Sequence, residues 1–142
     1  MAGWWRRAGV MVGVLCLVGC SSGNPTGPNA DDSLVGPDWS LVTLAGQPVL
    51  EGTKLTAEFS TEDRVAGNAG CNHYFGRARA EAGRLSVGML GSTLMACTRE
   101  GVMEQESRYL ASLQAATTYS IHGDELRLGP SASEVTLVFA SR

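Results

Sequence analysis

The chain carries no excess of basic residues. Eleven Lys and Arg stand against fourteen Asp and Glu, a formal charge of −3. This balance argues against nucleic acid as a partner. Aromatic residues make up only 6% of the sequence, and two of its three tryptophans, Trp4 and Trp5, sit at the extreme N-terminus. Trp39 is therefore the one large aromatic anchor expected in a folded domain. Beyond the first nineteen residues no apolar run is long enough to span a bilayer. No internal repeat is evident beyond a rhythm of short strands. No arrangement of nucleophile, base and orienting group stands out, so no catalytic residue is assigned.

The N-terminal segment is built like a secretory signal. Arg6 and Arg7 give a positive start, Ala8 to Val18 a short apolar run, and Gly19 a small residue before Cys20. Leu17-Val18-Gly19-Cys20 resembles a bacterial lipobox, in which the cysteine is acylated and becomes the new N-terminus. That resemblance implies a signal peptide over residues 1–19, a lipid on Cys20, and a membrane as partner through that lipid. Ser21, in place of an Asp, implies the periplasmic face of the outer membrane in a Gram-negative cell. In a Gram-positive cell the implied place is the extracytoplasmic face of the cell membrane. Loss of Arg6 and Arg7 would move the formal charge to about −5, a mildly acidic surface that favours solubility. Residues 20–36 are rich in Ser, Gly, Asn, Pro and Asp and read as a flexible tether. A single domain is expected over residues 37–141.

Within that domain apolar and polar residues alternate in short runs. Leu55, Ala57 and Phe59 share one parity, as do Leu85 and Val87, Leu126 and Leu128, and Val135, Leu137 and Phe139. Period two marks strands with one buried face. Trp39 to Leu44, Arg64 to Gly67, Tyr74 to Ala80 and Thr117 to Ile121 are expected strands as well. On the strand from Tyr74, Phe75, Arg77 and Arg79 share the face opposite Tyr74, Gly76 and Ala78. Short glycine-marked links such as Ala45-Gly46, Ala82-Gly83 and His122-Gly123-Asp124 signal hairpins. One segment differs. Between Thr98 and Gln114 the apolar residues Val102, Met103, Tyr109, Leu110 and Leu113 fall on a helical face. Thr98 is the expected N-cap, Glu100 lies in the first turn, and Gly101 weakens the start. The expected fold is α+β: a curved, mostly antiparallel sheet or partly closed barrel, its open side covered by one helix.

Cys16 falls within the signal and Cys20 carries lipid, which leaves Cys71 and Cys97. In an oxidising compartment these two are expected to form a disulfide. Two sharper alternatives remain at this point. Cys71, His73, Cys97 and His122 could form a zinc set, although the spacing is not that of a zinc finger. Cys71 could also act as a nucleophile with His73 as base and Asn72 or Asp124 as orienter. No catalytic residue, metal or cofactor is nonetheless expected.

Gly70-Cys71-Asn72 with Tyr74-Phe75-Gly76, followed by Thr93-Leu94-Met95-Ala96-Cys97, resemble the paired signatures of the META domain, in its HslJ-like, heat-inducible lipoprotein form. Trp39-Ser40-Leu41, Phe59 before Arg64-Val65-Ala66-Gly67, and Leu126-Arg127-Leu128 agree with the flanks. The resemblance covers Pro37 to Ala140. It implies a small α+β domain associated with envelope stress or drug tolerance, and no catalytic mechanism or ligand. It singles out Gly70, Cys71, Asn72, Thr93, Met95 and Cys97 as motif residues. Gly67 and Gly70 suit a bulge or tight turn that positions Cys71. Asn72 suits local backbone bonding, and Met95 core filling.

The expected function is that of a non-enzymatic, membrane-anchored envelope lipoprotein that supports envelope integrity or stress tolerance by binding another envelope component. The alternative is a carrier of a small apolar ligand or lipid between sheet and helix, in a cavity lined by Met89, Leu90, Met95, Met103 and Tyr109.

Overall fold

The computed structural model describes residues 33–142. The expected signal peptide, Cys20 and most of the expected tether lie outside the described residues. Nine strands and one helix follow in order: β1 (Trp39–Leu44), β2 (Gln47–Pro48), β3 (Thr56–Ser60), β4 (Arg64–Asn68), β5 (His73–Glu81), β6 (Arg84–Ser92), α1 (Val102–Ala115), β7 (Thr118–His122), β8 (Glu125–Gly129) and β9 (Leu137–Ser141). All strand pairs are antiparallel and follow sequence order, with β2 as a two-residue flap beside β1. β9 returns to pair with β1, Trp39 opposite Ser141 and Leu44 opposite Leu137, so the sheet closes into a barrel.

The expected hairpins form for the expected reason. Ala45 and Gly46 between β1 and β2, and Ala82 and Gly83 between β5 and β6, all have positive φ. Two such residues in succession match the right-handed twist of the flanking strands. Period-two burial then fills the barrel from every wall: Trp39, Ala57, Phe59, Val65, Tyr74, Leu85, Leu126, Leu128, Leu137 and Phe139 all point inward. Each large side chain contributes roughly 1.5–3 kcal/mol on removal from water. Val135 does not join this face. β9 begins at Leu137, and Val135 lies in the exposed approach to it.

The seam between β6 and β7 is short. Arg84 opposite Thr118 is the one paired position, flanked by the Leu85 N–H to Thr117 carbonyl bond at 2.9 Å and the Tyr119 N–H to Gly83 carbonyl bond at 3.0 Å. Beyond it the rest of β6 departs, and α1 packs against it. The buried face of α1 runs Val102, Gln105, Glu106, Tyr109 and Leu113, at helical i, i+3, i+4, i+7 and i+11 spacing. Tyr109 stacks edge-on with Tyr74 at 5.6 Å and with Phe139 at 6.3 Å between ring centres, joining helix and barrel through one aromatic chain.

Three expectations about boundaries change. The helix begins at Val102, not Thr98, because Gly101 in the left-handed region (φ 79°) caps it and no side chain does. Met103 lies off the buried face and is exposed. The domain also begins before Pro37. Leu34 is fully buried, its carbonyl accepts the Trp39 indole N–H at 3.0 Å, and Val35 bridges Phe59.

Candidate functional site

The family-motif residues gather at one end of the barrel, around the junction of β4 with β5. The chain crosses β3 closely at Gly67, where an added Cβ would stand 2.0 Å from the Thr56 carbonyl oxygen. It then reverses at Gly70, whose φ of +112° favours glycine. The Asn68 side-chain oxygen accepts the Gly70 N–H at 2.8 Å, and the Ala69 N–H donates to the Asn72 carbonyl at 2.8 Å. This turn aims the N–H groups of Cys71 and Asn72 at the helix.

Glu106 receives them. The residue is 5% exposed, and its carboxyl accepts three bonds: from Cys71 N–H at 3.1 Å, Asn72 N–H at 2.7 Å, and the Asn72 side-chain amide at 2.7 Å. A buried carboxyl without partners costs several kcal/mol. Here backbone and amide donors compensate, and among the described residues no cation forms an ion pair with it. The preceding residue, Gln105, does the same for another loop. It accepts the Leu50 N–H at 2.7 Å and donates to the Thr53 hydroxyl at 3.0 Å.

Asn72 spends its amide on the segment after β6, not on its own turn as expected. Its oxygen accepts the Met95 N–H at 2.7 Å and the Thr93 hydroxyl at 2.8 Å, and its nitrogen donates to the Met95 carbonyl at 3.1 Å as well as to Glu106. The side chain thus pairs with Met95 as a strand backbone would, and its full hydrogen-bonding capacity is used. The Thr93 N–H donates to the His73 carbonyl at 3.0 Å, and Cys71 is joined to Cys97 with Cα atoms 6.0 Å apart. Residues 93–97 are therefore held at three points in succession. What they present outward is apolar: Leu94 is 96% exposed and Met95 54%. Met95 is a displayed side chain and not a core filler, because its backbone, not its side chain, is what Asn72 holds.

The disulfide removes the Cys71 thiol from any pairing with His73. Among the described residues no three His, Cys, Asp or Glu side chains group to hold a metal ion, so the structure does not assemble Cys71, His73, Cys97 and His122 into a zinc set. The hydroxyls of Tyr74 and Tyr109 meet at 2.8 Å beside the Thr56 carbonyl, and burial pushes both well above the usual phenol range. The five residues expected to line a ligand cavity do not do so. Met89, Met95 and Met103 are exposed, Leu90 packs against the core, and Tyr109 is locked among the aromatic rings.

Gln105 and Glu106 escaped the sequence reading because they are polar. Their signal was positional: they fall three and four residues from both Val102 and Tyr109, on the apolar face itself.

The META domain matches residues 32–142. The chain belongs to the META domain family. No curated protein matches it. Among solved structures, an NMR structure from Burkholderia xenovorans is 24% identical with a TM-score of 0.61, covering 97% of this chain and 99% of its own. A second NMR structure is 21% identical with a TM-score of 0.61, over 77% of this chain and 92% of its own. A crystal structure of a DUF4847 family protein from Bacteroides vulgatus is 13% identical with a TM-score of 0.57, over 78% of this chain and 95% of its own. At these identities the likeness shows the fold alone. Within this META domain, both signature segments meet at the disulfide: Gly70-Cys71-Asn72 supplies the holder and Thr93 to Cys97 the held loop.

Proposed function

We propose that the protein is a lipid-anchored bacterial envelope lipoprotein whose META domain is a non-enzymatic binding module. Residues 93–97 dock onto another envelope component, in support of envelope integrity or stress tolerance. One observation carries this reading: a loop fixed by a disulfide and by a buried amide, itself braced by a buried carboxyl, displays Leu94 almost wholly to solvent. Preorganisation of that kind lowers the entropy lost on binding. A merely structural loop has no need to display apolar side chains on so firm a base. The reading involves no cofactor, no metal and no nucleic acid, and the lipid on Cys20 supplies the membrane contact.

A photo-crosslinking residue at position 94 in intact cells tests it. A discrete adduct at 94 that is absent with the crosslinker at Glu58, on the exposed face of β3, is the expected result. No adduct at 94 in any growth condition would overturn the docking role. Intact mass of the membrane-extracted protein, with and without Cys20→Ala, tests the anchor separately.

A further inference from the structure

On the outer face of β4, β5 and β6, midway along β5, two like charges face each other. Arg64 and Arg77 are directly opposite in the β4–β5 register. Like charges at such positions are destabilising. Neither guanidinium forms an ion pair or a side-chain hydrogen bond among the described residues, whose two ion pairs are Arg79–Glu81 and Arg127–Glu125. The chain as a whole is acidic, so an unneutralised arginine pair is not an accident of a basic surface.

The strands beside this pair are irregular in a way that makes room. Gly76 pairs with Leu90 and Ala78 with Val87, so Gly88 and Met89 together oppose Arg77 in a β-bulge. The bulge turns Met89 outward, 90% exposed. Phe75, 56% exposed, lays its ring over Gly91, where an added Cβ would stand 3.0 Å from the ring. The result is a groove of about 640 Å³ that holds Arg64, Arg77, Phe75 and Met89, with Glu62 also on its wall. That volume lies within the range of small-molecule sites. Paired guanidiniums suit the bidentate recognition of an oxyanion. An aromatic ring and a flexible thioether suit an alkyl or aryl body.

We propose that this groove binds a single free amphiphile bearing one oxyanion, the carboxylate or phosphate between Arg64 and Arg77 and the apolar body along Phe75 and Met89. The apolar side chains beside the arginine pair are few, Phe75 and Met89, which matches one alkyl or aryl body. It is separate from the cavity first expected between sheet and helix. The inference deepens the binding reading above, resting on the domain being a binding module but not on the anchor or on Leu94.

Dodecyl phosphate below its micelle concentration is the probe, titrated calorimetrically into a soluble chain of residues 21–142, which holds the whole described barrel. One-to-one binding is expected, with inorganic phosphate and dodecanol each at least about tenfold weaker. The double variant Arg64→Gln/Arg77→Gln should lose about tenfold or more, since the charge-assisted bonds to the oxyanion go. Glu62→Gln, which removes an opposing charge, should tighten binding. Each single arginine variant should keep or raise the melting temperature, since it relieves repulsion. Equal affinity in the double variant, no one-to-one binding, or binding only to phosphatidylglycerol vesicles would overturn the proposal. A crosslink at position 94 that persists when dodecyl phosphate does not bind would show that the groove proposal failed and the docking reading did not.

Discussion

The barrel wall and the loop after β6 solve the same problem with different parts. In the wall, backbone pairs with backbone from β3 through β6 and from β7 round to β1. Beyond Thr93, whose N–H still bonds His73 of β5, residues 94–97 have no neighbouring strand, and there a side-chain amide and a disulfide stand in for the ladder, the amide itself braced by the Glu106 carboxyl. The wall spreads its stability over many modest contributions. The loop concentrates it in three groups, each buried or bonded so that removal strands its partners. The loop should therefore be the more fragile of the two to single substitutions, although its outer residues are the more tolerant.

The largest effect is expected at Glu106. Glu106→Ala leaves three donors buried without an acceptor and should cost about 4 kcal/mol in urea unfolding. Leu128→Ala, a fully buried wall residue, should cost about 3 kcal/mol. If the order reverses, the contrast between loop and wall is wrong. Between these two stands the disulfide. Cys71→Ser with Cys97→Ser opens a closure between residues 26 apart, and the chain-entropy model gives a loss of about 3.5 kcal/mol, read as a lower denaturant midpoint.

The contact between wall and helix has its own polar weakness, and alkaline pH should expose it. Burial raises both Tyr74 and Tyr109 above the ordinary value of 10.0. Above pH 10 the unfolded tyrosines release protons that the folded ones retain. Stability is thus intact below pH 10 and falls as pH rises beyond it, by up to about 1.4 kcal/mol per pH unit for each tyrosine. Melting curves between pH 9 and pH 11 should show this slope, and Tyr74→Phe should reduce it. The smallest effect is expected at Leu94. Leu94→Ser removes a side chain that touches solvent, so it should shift stability by less than about 0.5 kcal/mol, measured by thermal unfolding, while abolishing the adduct expected there.

Much of the wall could be read from the sequence because period two is a direct projection of a pleated strand. Phe59, Val65, Leu126 and Phe139 turn inward as their parity says. Phe75, Arg77 and Arg79 turn outward together for the same reason. Parity fails where the count of residues on facing strands becomes unequal. The bulge opposite Arg77 flips Met89 out of the core, and a single sequence does not show which strand it must oppose. The disulfide was legible from compartment and elimination. The loop it serves was not, because Asn72 and Glu106 act across 23 and 34 residues of chain, and no local pattern reports partners so distant. The helix start misled for a related reason. Thr98 has the right chemistry for a cap, but the loop before α1 is held elsewhere and delivers Gly101 in its place.

The closure of β9 on β1 has a consequence in time. Trp39 pairs with Ser141, so the strands that complete the barrel stand about 100 residues apart and meet across nearly the whole domain. A chain made from its N-terminus holds β1 first and must wait for its last residues before the wall can shut. Until then β1 and β8 each keep a raw margin of unpaired N–H and carbonyl groups, open to strands of other chains. The interval between the appearance of β1 and that of β9 is thus the period in which this small domain most needs a chaperone.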